Sequence, residues 1–341
     1  MKNMNVFKKM TLLLLLCLVG FSPRAYSQVD LKKVAQSTME FLTVGTSPRA
    51  CALGEAFTAL GSGSEALFYN PAGIADAKST GEFTVNYTQW IADIKYLSGS
   101  GIYNLGSLGT VGISFLNVDY GTINATSISA TLNDPLGYVD HGTMNNVGSY
   151  AIGLAYGKSV TDRFAFGGQV KYVGQNLGEN YNLDGSLWKQ NTARKLAFDI
   201  GVRYKTNFKT ITFAMALRNF ATNVKHEYLD EQLPLTFTMG ATMNFLSLFD
   251  AELQAKHELN LTCDYYHSND YTERFNLGTE YVFMDMLAVR AGYQTNRDLA
   301  SWSTGVGFKQ NVEGYNVGVD YSYSRFEYFD KVSRISVIIG F

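Results

Sequence analysis

From Gly81 to the last residue, apolar side chains recur at every second position in runs of about ten residues. In residues 196–205, Leu196, Phe198, Ile200, Val202 and Tyr204 share one face, while Ala197, Asp199, Gly201, Arg203 and Lys205 share the other. In residues 235–245, Leu235, Phe237, Met239, Ala241, Met243 and Phe245 oppose Thr236, Thr238, Gly240, Thr242 and Asn244. A period of two is that of a strand, whose successive side chains point to opposite faces. Runs of about ten residues suit tilted strands that cross a bilayer, whereas strands of soluble sandwiches run nearer five or six. The second face is small, polar or charged, as a crowded lumen requires. The pattern predicts an all-β fold, a transmembrane antiparallel β-barrel rather than a sandwich.

About fourteen such segments can be counted, near residues 83–91, 94–104, 110–120, 148–158, 164–175, 195–206, 210–223, 235–245, 258–266, 274–283, 286–294, 301–309, 315–325 and 334–341. An even count is what bacterial barrels require. In the last segment Ile335, Val337, Ile339 and Phe341 alternate with Ser336, Ile338 and Gly340. Pairing it with the first segment closes the sheet and leaves no edge. The links Gly106-Ser107-Leu108, Thr161-Asp162-Arg163 and Thr206-Asn207-Phe208-Lys209 are short and fall where periplasmic turns belong. The links 121–147, 178–192 and 225–234 are long and fall where external loops belong. The link 247–257 breaks this rhythm.

Residues 1–27 read as a cleaved signal peptide. Lys2, Lys8 and Lys9 precede an apolar run with Leu12 to Leu16, and Ala25-Tyr26-Ser27 fits a small-x-small cleavage site. Cys17 lacks the small residues that a lipidation signal wants before it. No other stretch approaches the roughly 18 apolar residues of a membrane-spanning helix. Removing residues 1–27, with four basic residues and no acids, takes the formal net charge from −2 to −6. Nucleic acid is therefore not an expected partner. Cys51 and Cys263 read as two separate thiols rather than a bridge.

Residues 28–80 lack the period of two. Residues 31–42 carry a weak helical pattern in Leu31, Val34, Ala35, Met39 and Leu42. Residues 50–60 are small and apolar, and Gly61-Ser62-Gly63-Ser64 and Asn70-Pro71-Ala72-Gly73 are turn signals. This zone predicts a partly helical N-terminal plug, with residues 81–341 as the barrel.

No constellation for catalysis emerges. His141, His226, His257 and His267 are scattered and include no pair at metal-ligand spacing. His267 and Ser268 are adjacent in a strand and point apart. The glycine-rich turns lack the lysine and context of a phosphate loop. The reading is a non-enzyme with no cofactor and no metal. The inward faces carry Lys171, Asp199, Arg203, Arg218, Glu258, Asp264, Glu280, Arg290, Lys309 and Asp320, of mixed sign. They predict an ion-pair network that anchors the plug, ahead of a polar permeation path.

Two resemblances add to this reading. The aromatic ending on Phe341 resembles the C-terminal signature that the barrel-assembly machinery of bacterial outer membranes reads. Pro48-Arg49-Ala50, Ala52-Leu53-Gly54, Ala56-Phe57-Thr58-Ala59-Leu60, Asn70-Pro71-Ala72-Gly73-Ile74-Ala75 and residues 88–96 resemble the PorV/PorQ family, within the superfamily of the long-chain fatty acid transporter FadL. Cys51 stands where a smaller residue is expected. The resemblance implies a 14-stranded outer-membrane barrel with an N-terminal hatch held by Asn70, Pro71, Ala72 and Gly73. It also implies a part in type IX protein secretion, with secretion-system proteins or cargo C-terminal domains as partners. The alternative is a FadL-like channel that takes up a hydrophobic small molecule. Outer-membrane lipid is a contact on either reading.

Overall fold

A computed structural model describes residues 37–341 except 130–135, 145–146, 183–185, 226–229, 250–254, 298–300, 327–328 and 330. The expected signal peptide, and residues 28–36 with the first half of the expected helix, lie outside the described residues.

Fourteen strands form one closed antiparallel barrel. They are β1 (Gly81–Gln89), β2 (Lys95–Asn104), β3 (Thr110–Asp119), β4 (Gly148–Ser159), β5 (Phe164–Tyr181), β6 (Leu187–Lys205) and β7 (Thr212–Phe220). Then follow β8 (Thr236–Asn244), β9 (His257–Ser268), β10 (Arg274–Phe283), β11 (Leu287–Gln294), β12 (Trp302–Val312), β13 (Tyr315–Arg325) and β14 (Lys331–Gly340). Each pairs with its neighbours in sequence, and β1 pairs with β14 in a register that sets Val85 opposite Val337. At this seam Gly81 N–H donates to the Phe341 carbonyl at 3.0 Å, Phe341 N–H donates to the Gly81 carbonyl at 2.9 Å, and the rings of Phe83 and Phe341 stack.

All fourteen alternating segments are strands, and the alternation predicts their facing. Ile200 is 59% exposed on the outer wall, and its neighbour Asp199 is 2% exposed on the inner. The outer wall is a band of Phe, Tyr, Leu, Ile and Val, a surface that hydrocarbon solvates and water does not. Two links differ from expectation. Residues 178–192 are mostly strand, because β5 and β6 continue upward as a paired hairpin, with register shifts near Asn176 and Asn180. The link 121–147 carries a two-stranded sheet of its own, Asn124–Ile128 with Tyr138–Thr143. The end with these structures is termed the loop end, and that with Gly106–Leu108 the turn end.

Residues 37–80 run down the inner wall from loop end to turn end. Ser37 bridges Gln232 in the β7–β8 link, and Thr38 N–H donates to the Gln232 carbonyl at 2.9 Å. No α-helix covers 37–42; there is only a 3-10 turn, Glu40–Thr43, entered through Met39 in a left-handed conformation (φ 59°) without a side-chain cap. The apolar side chains bury against the wall, and that tertiary burial outweighs the weak helical pattern of so short a segment. A five-residue helix α1 (Pro48–Ala52), capped by the Ser47 hydroxyl, packs on β11, β12 and β13. The 3-10 turn Ser64–Phe68 packs on β1, β2 and β3, and Pro71–Asp76 on β4, β5 and β6.

Candidate functional site

The Asn70-Pro71-Ala72-Gly73 turn is keyed into the wall. Pro71 opens the 3-10 turn at a position where its missing N–H costs nothing. Asn70, held extended, accepts from Ala72 N–H at 3.0 Å and donates to the carbonyls of Thr58 at 3.1 Å and of Val202 in β6 at 3.3 Å. One side chain thus ties its own turn, the preceding loop and the barrel. The approach is possible because the wall has glycine there. A Cβ on Gly201 would overlap the Asn70 carboxamide, and one on Gly167 the Pro71 carbonyl. On the opposite wall, Gly278 and Gly292 receive Leu53 and Gly54 in the same way.

The inward charges mostly meet the N-terminal segment. Arg49 of α1 donates to both oxygens of Glu280, at 2.9 and 2.8 Å. Arg290 donates to Glu280 at 2.6 Å and to Asp320 at 2.5 Å. Burial disfavours the Arg49 charge, but the Glu280 carboxylate outweighs it and raises the pKa. Glu65, buried and accepting from the Ser47 hydroxyl at 2.5 Å, is pushed up to about 7, by burial first and then by Asp320, against the pull of Arg49. Asp264 accepts from the Phe57 and Thr58 N–H groups at 3.0 and 2.9 Å. Arg203 donates to the Gly61 carbonyl at 2.7 Å and pairs with Asp76 at 3.3 Å. Arg218 donates to the Phe68 carbonyl at 2.5 Å, with its guanidinium over the Tyr69 ring. Lys171 and Asp199 pair at 2.8 Å beside a bulge where Asn219 takes a left-handed conformation and donates its N–H to Asp199 at 2.7 Å. Glu258 meets the network only through Asn260, whose amide donates to Glu258 at 3.0 Å and to Glu280 at 3.4 Å, and Lys309 is exposed near the turn end. Cys51 and Cys263 are free thiols. Cys51 is buried under the segment, with its pKa pushed up to about 11 by burial, and Cys263 lies on the outer wall.

At the loop end the inner wall changes character. Just below it the inward residues include Ser98, Ser100, Ser114 and Gln169, with Ile102 and Ala155 nearer the turn end, but above it they are Tyr96, Leu116, Val118, Ala151, Val173, Ala193 and Ala197. Val224 and Leu233 of the β7–β8 link complete an apolar chamber, and Met39 and Phe41 sit inside it at 1% and 3% exposure. A barrel lumen is normally polar, so an apolar patch within it departs from the pattern of the rest of the wall. Sequence reasoning missed this chamber and its occupants. A partial signal was there: Tyr96, Leu116, Val118 and Val173 are large apolar residues on the face that elsewhere in these strands is small or polar.

No protein-family model matches the chain, and neither does the sequence of any characterised protein. Solved structures do match in fold. The toluene transporter TbuX of Ralstonia pickettii superposes with a TM-score of 0.53 at 13% identity, over 86% of this chain and 97% of that one. The toluene transporter TodX of Pseudomonas putida gives 0.53 at 13% identity, over 85% and 96%. A FadL homologue of Pseudomonas aeruginosa gives 0.50 at 13% identity, over 87% and 97%. The fold is FadL-like. Identity this low establishes the architecture of the FadL-like barrel and nothing finer.

Proposed function

We propose that this protein is an outer-membrane channel through which a hydrophobic small molecule is taken up, with residues 37–80 acting as a hatch. The observation that carries the reading is the apolar chamber at the loop end, walled by the large side chains of Tyr96, Leu116, Val118 and Val173. A solute with little polarity gains by leaving water for such a site, at about 25 cal/mol per Å² of apolar surface buried. The fold likeness to toluene transporters supports the same reading, and the apolar outer band supports a place in a bilayer. Met39 and Phe41 would have to leave before a solute could enter, and the hatch turn at Asn70 would control passage beyond.

Uptake of a radiolabelled monoaromatic hydrocarbon by cells expressing the protein tests this. Val173→Asp places a charge in the chamber wall and should abolish uptake while the barrel keeps its heat-modifiable migration. Uptake equal to wild type in that variant would refute the chamber as the route. The type IX secretion role rests on the motif resemblance. Loss of surface-attached cargo on deletion of the gene, with hydrocarbon uptake unchanged, would favour it instead.

A further inference from the structure

The segment that occupies the chamber is tied down by two carboxyl groups. Glu40 lies between Met39 and Phe41, and Asp270 lies in the β9–β10 link at 1% exposure. The Ser37 hydroxyl contacts both Glu40 Oε1 and Asp270 Oδ2. A hydroxyl carries one proton, and an ionised carboxylate carries none. Two carboxyl groups converging on one hydroxyl can therefore both be satisfied only if one of them brings a proton of its own. Thr43 Oγ1 donates to the Glu40 carbonyl at 2.8 Å and keeps the turn closed around that side chain. The remaining titratable groups near the contact are Tyr271, Tyr266 and Arg274, whose guanidinium is stacked over the Tyr271 and Tyr266 rings, 4.9 and 5.5 Å from their centroids.

We propose that the Glu40–Asp270 contact is a proton-held latch: with its proton it keeps Met39 and Phe41 in the chamber, and without it the segment withdraws and the chamber opens. Burial, and next the hydrogen bond with Asp270, push the Glu40 carboxyl from 4.5 up to about 8. The sign follows. Below the ordinary value the carboxyl is protonated whether the latch is open or closed, and the latch is at full strength. Between that value and about 8, closing takes up a proton, so the open-to-closed ratio rises by up to tenfold per pH unit. Above about 8 the ratio levels off. Acid closes the chamber and alkali opens it. The latch concerns the position of the segment, and only its consequence for a solute rests on the channel reading.

Spin labels on Leu42→Cys and Asn269→Cys, in a background of Cys51→Ala and Cys263→Ser, measure that position in nanodiscs from pH 5 to 9.5. EDTA is present so that no divalent cation bridges the carboxylates. The expected result is a single short distance at pH 5 and a longer population that grows with pH and levels off above about 8. Glu40→Gln, whose amide donates to Asp270 without a shared proton, should hold the short distance at every pH. Asp270→Asn, with the amide on the other side, should do the same if the first variant does not fold. A wild-type distance that does not move with pH, or variant profiles that follow the wild type, would overturn the latch. Hydrocarbon uptake into proteoliposomes of the same protein over the same pH range separates the two ideas: a distance that moves while uptake is absent at every pH upholds the latch and refutes the channel.

Discussion

Replacing Glu280 by Gln should free the hatch without unfolding the barrel. Glu280 is 1% exposed and accepts four hydrogen bonds, two from Arg49, one from Arg290 and a longer one, 3.4 Å, from the Asn260 amide. Breaking a buried ion pair by removing one partner costs about 3–5 kcal/mol, because the other charge stays buried and uncompensated. Arg290 keeps Asp320, and Gln still offers one acceptor, so the lower end, about 3 kcal/mol, is the appropriate figure. The loss falls on Arg49, in the hatch. The strands stay zipped by their backbone ladders. Cys51 is a native reporter two residues away, buried and unreactive while the hatch is seated. In a Cys263→Ser background it should react with a water-soluble maleimide only through transient opening, at a rate proportional to the open population. A loss of about 3 kcal/mol then accelerates labelling roughly 150-fold, at 1.36 kcal/mol per decade. Lys309→Gln, exposed near the turn end, should leave the rate unchanged. A Glu280→Gln rate within threefold of wild type, in a barrel that migrates normally, would refute the claim that this network seats the hatch.

Further outcomes follow from the same geometry. Asn70→Ala removes three hydrogen bonds at a net cost of about 1 kcal/mol each; with Pro71→Gly it should raise ion conductance in planar bilayers at normal barrel abundance, and unchanged conductance would mean that the turn does not gate the lumen. Gly201→Ala should free the hatch in the Cys51 labelling assay, since its Cβ would displace Asn70; slow labelling there would show that the wall yields. Ile200→Arg puts a charge against hydrocarbon at a cost of about 2–4 kcal/mol and should reduce folded yield in lipid vesicles; undiminished yield would mean that this face does not meet lipid. A cysteine at Ile128, at the loop end, should label on intact cells and one at Asp162, at the turn end, should not; the reverse pattern would invert the orientation.

The barrel was legible because its wall obeys one local rule. Period two fixes which face each residue takes, and fourteen runs of transmembrane length leave few ways to close a sheet. The same rule is silent about height along the barrel. It places Lys309 and Glu258 on the inner face beside Glu280, yet both lie near the turn end, Lys309 exposed and Glu258 reaching Glu280 only through Asn260. Residues 37–80 were legible only as something that must pack elsewhere. Their partners, Arg49 for Glu280, Asp76 for Arg203 and the Gly45 carbonyl for Arg334, are set by threading through the ring. No spacing within the segment encodes them. Over the described part of the expected helix, residues 37–42, the helical pattern misled for a related reason, since Met39 and Phe41 answer to the chamber wall and not to their own turn.

The seam between β1 and β14 imposes an order on assembly. Every other ladder joins strands that are neighbours in sequence and can form locally, whereas this one joins residues more than two hundred positions apart and carries the largest loop-closure cost. Once it is zipped the lumen is a closed ring, and a segment that contacts walls on opposite sides of that ring cannot be dropped in sideways. The hatch, which precedes β1 in the chain, must either lie between the curling walls before the last ladder forms or thread in through an end of the ring. Gly201, Gly167, Gly278 and Gly292 then act as a gauge of assembly as well as clearances. With a bulkier residue at any of them, the sheet would have to close around an ill-fitting core, and the defect would show first as slow closure.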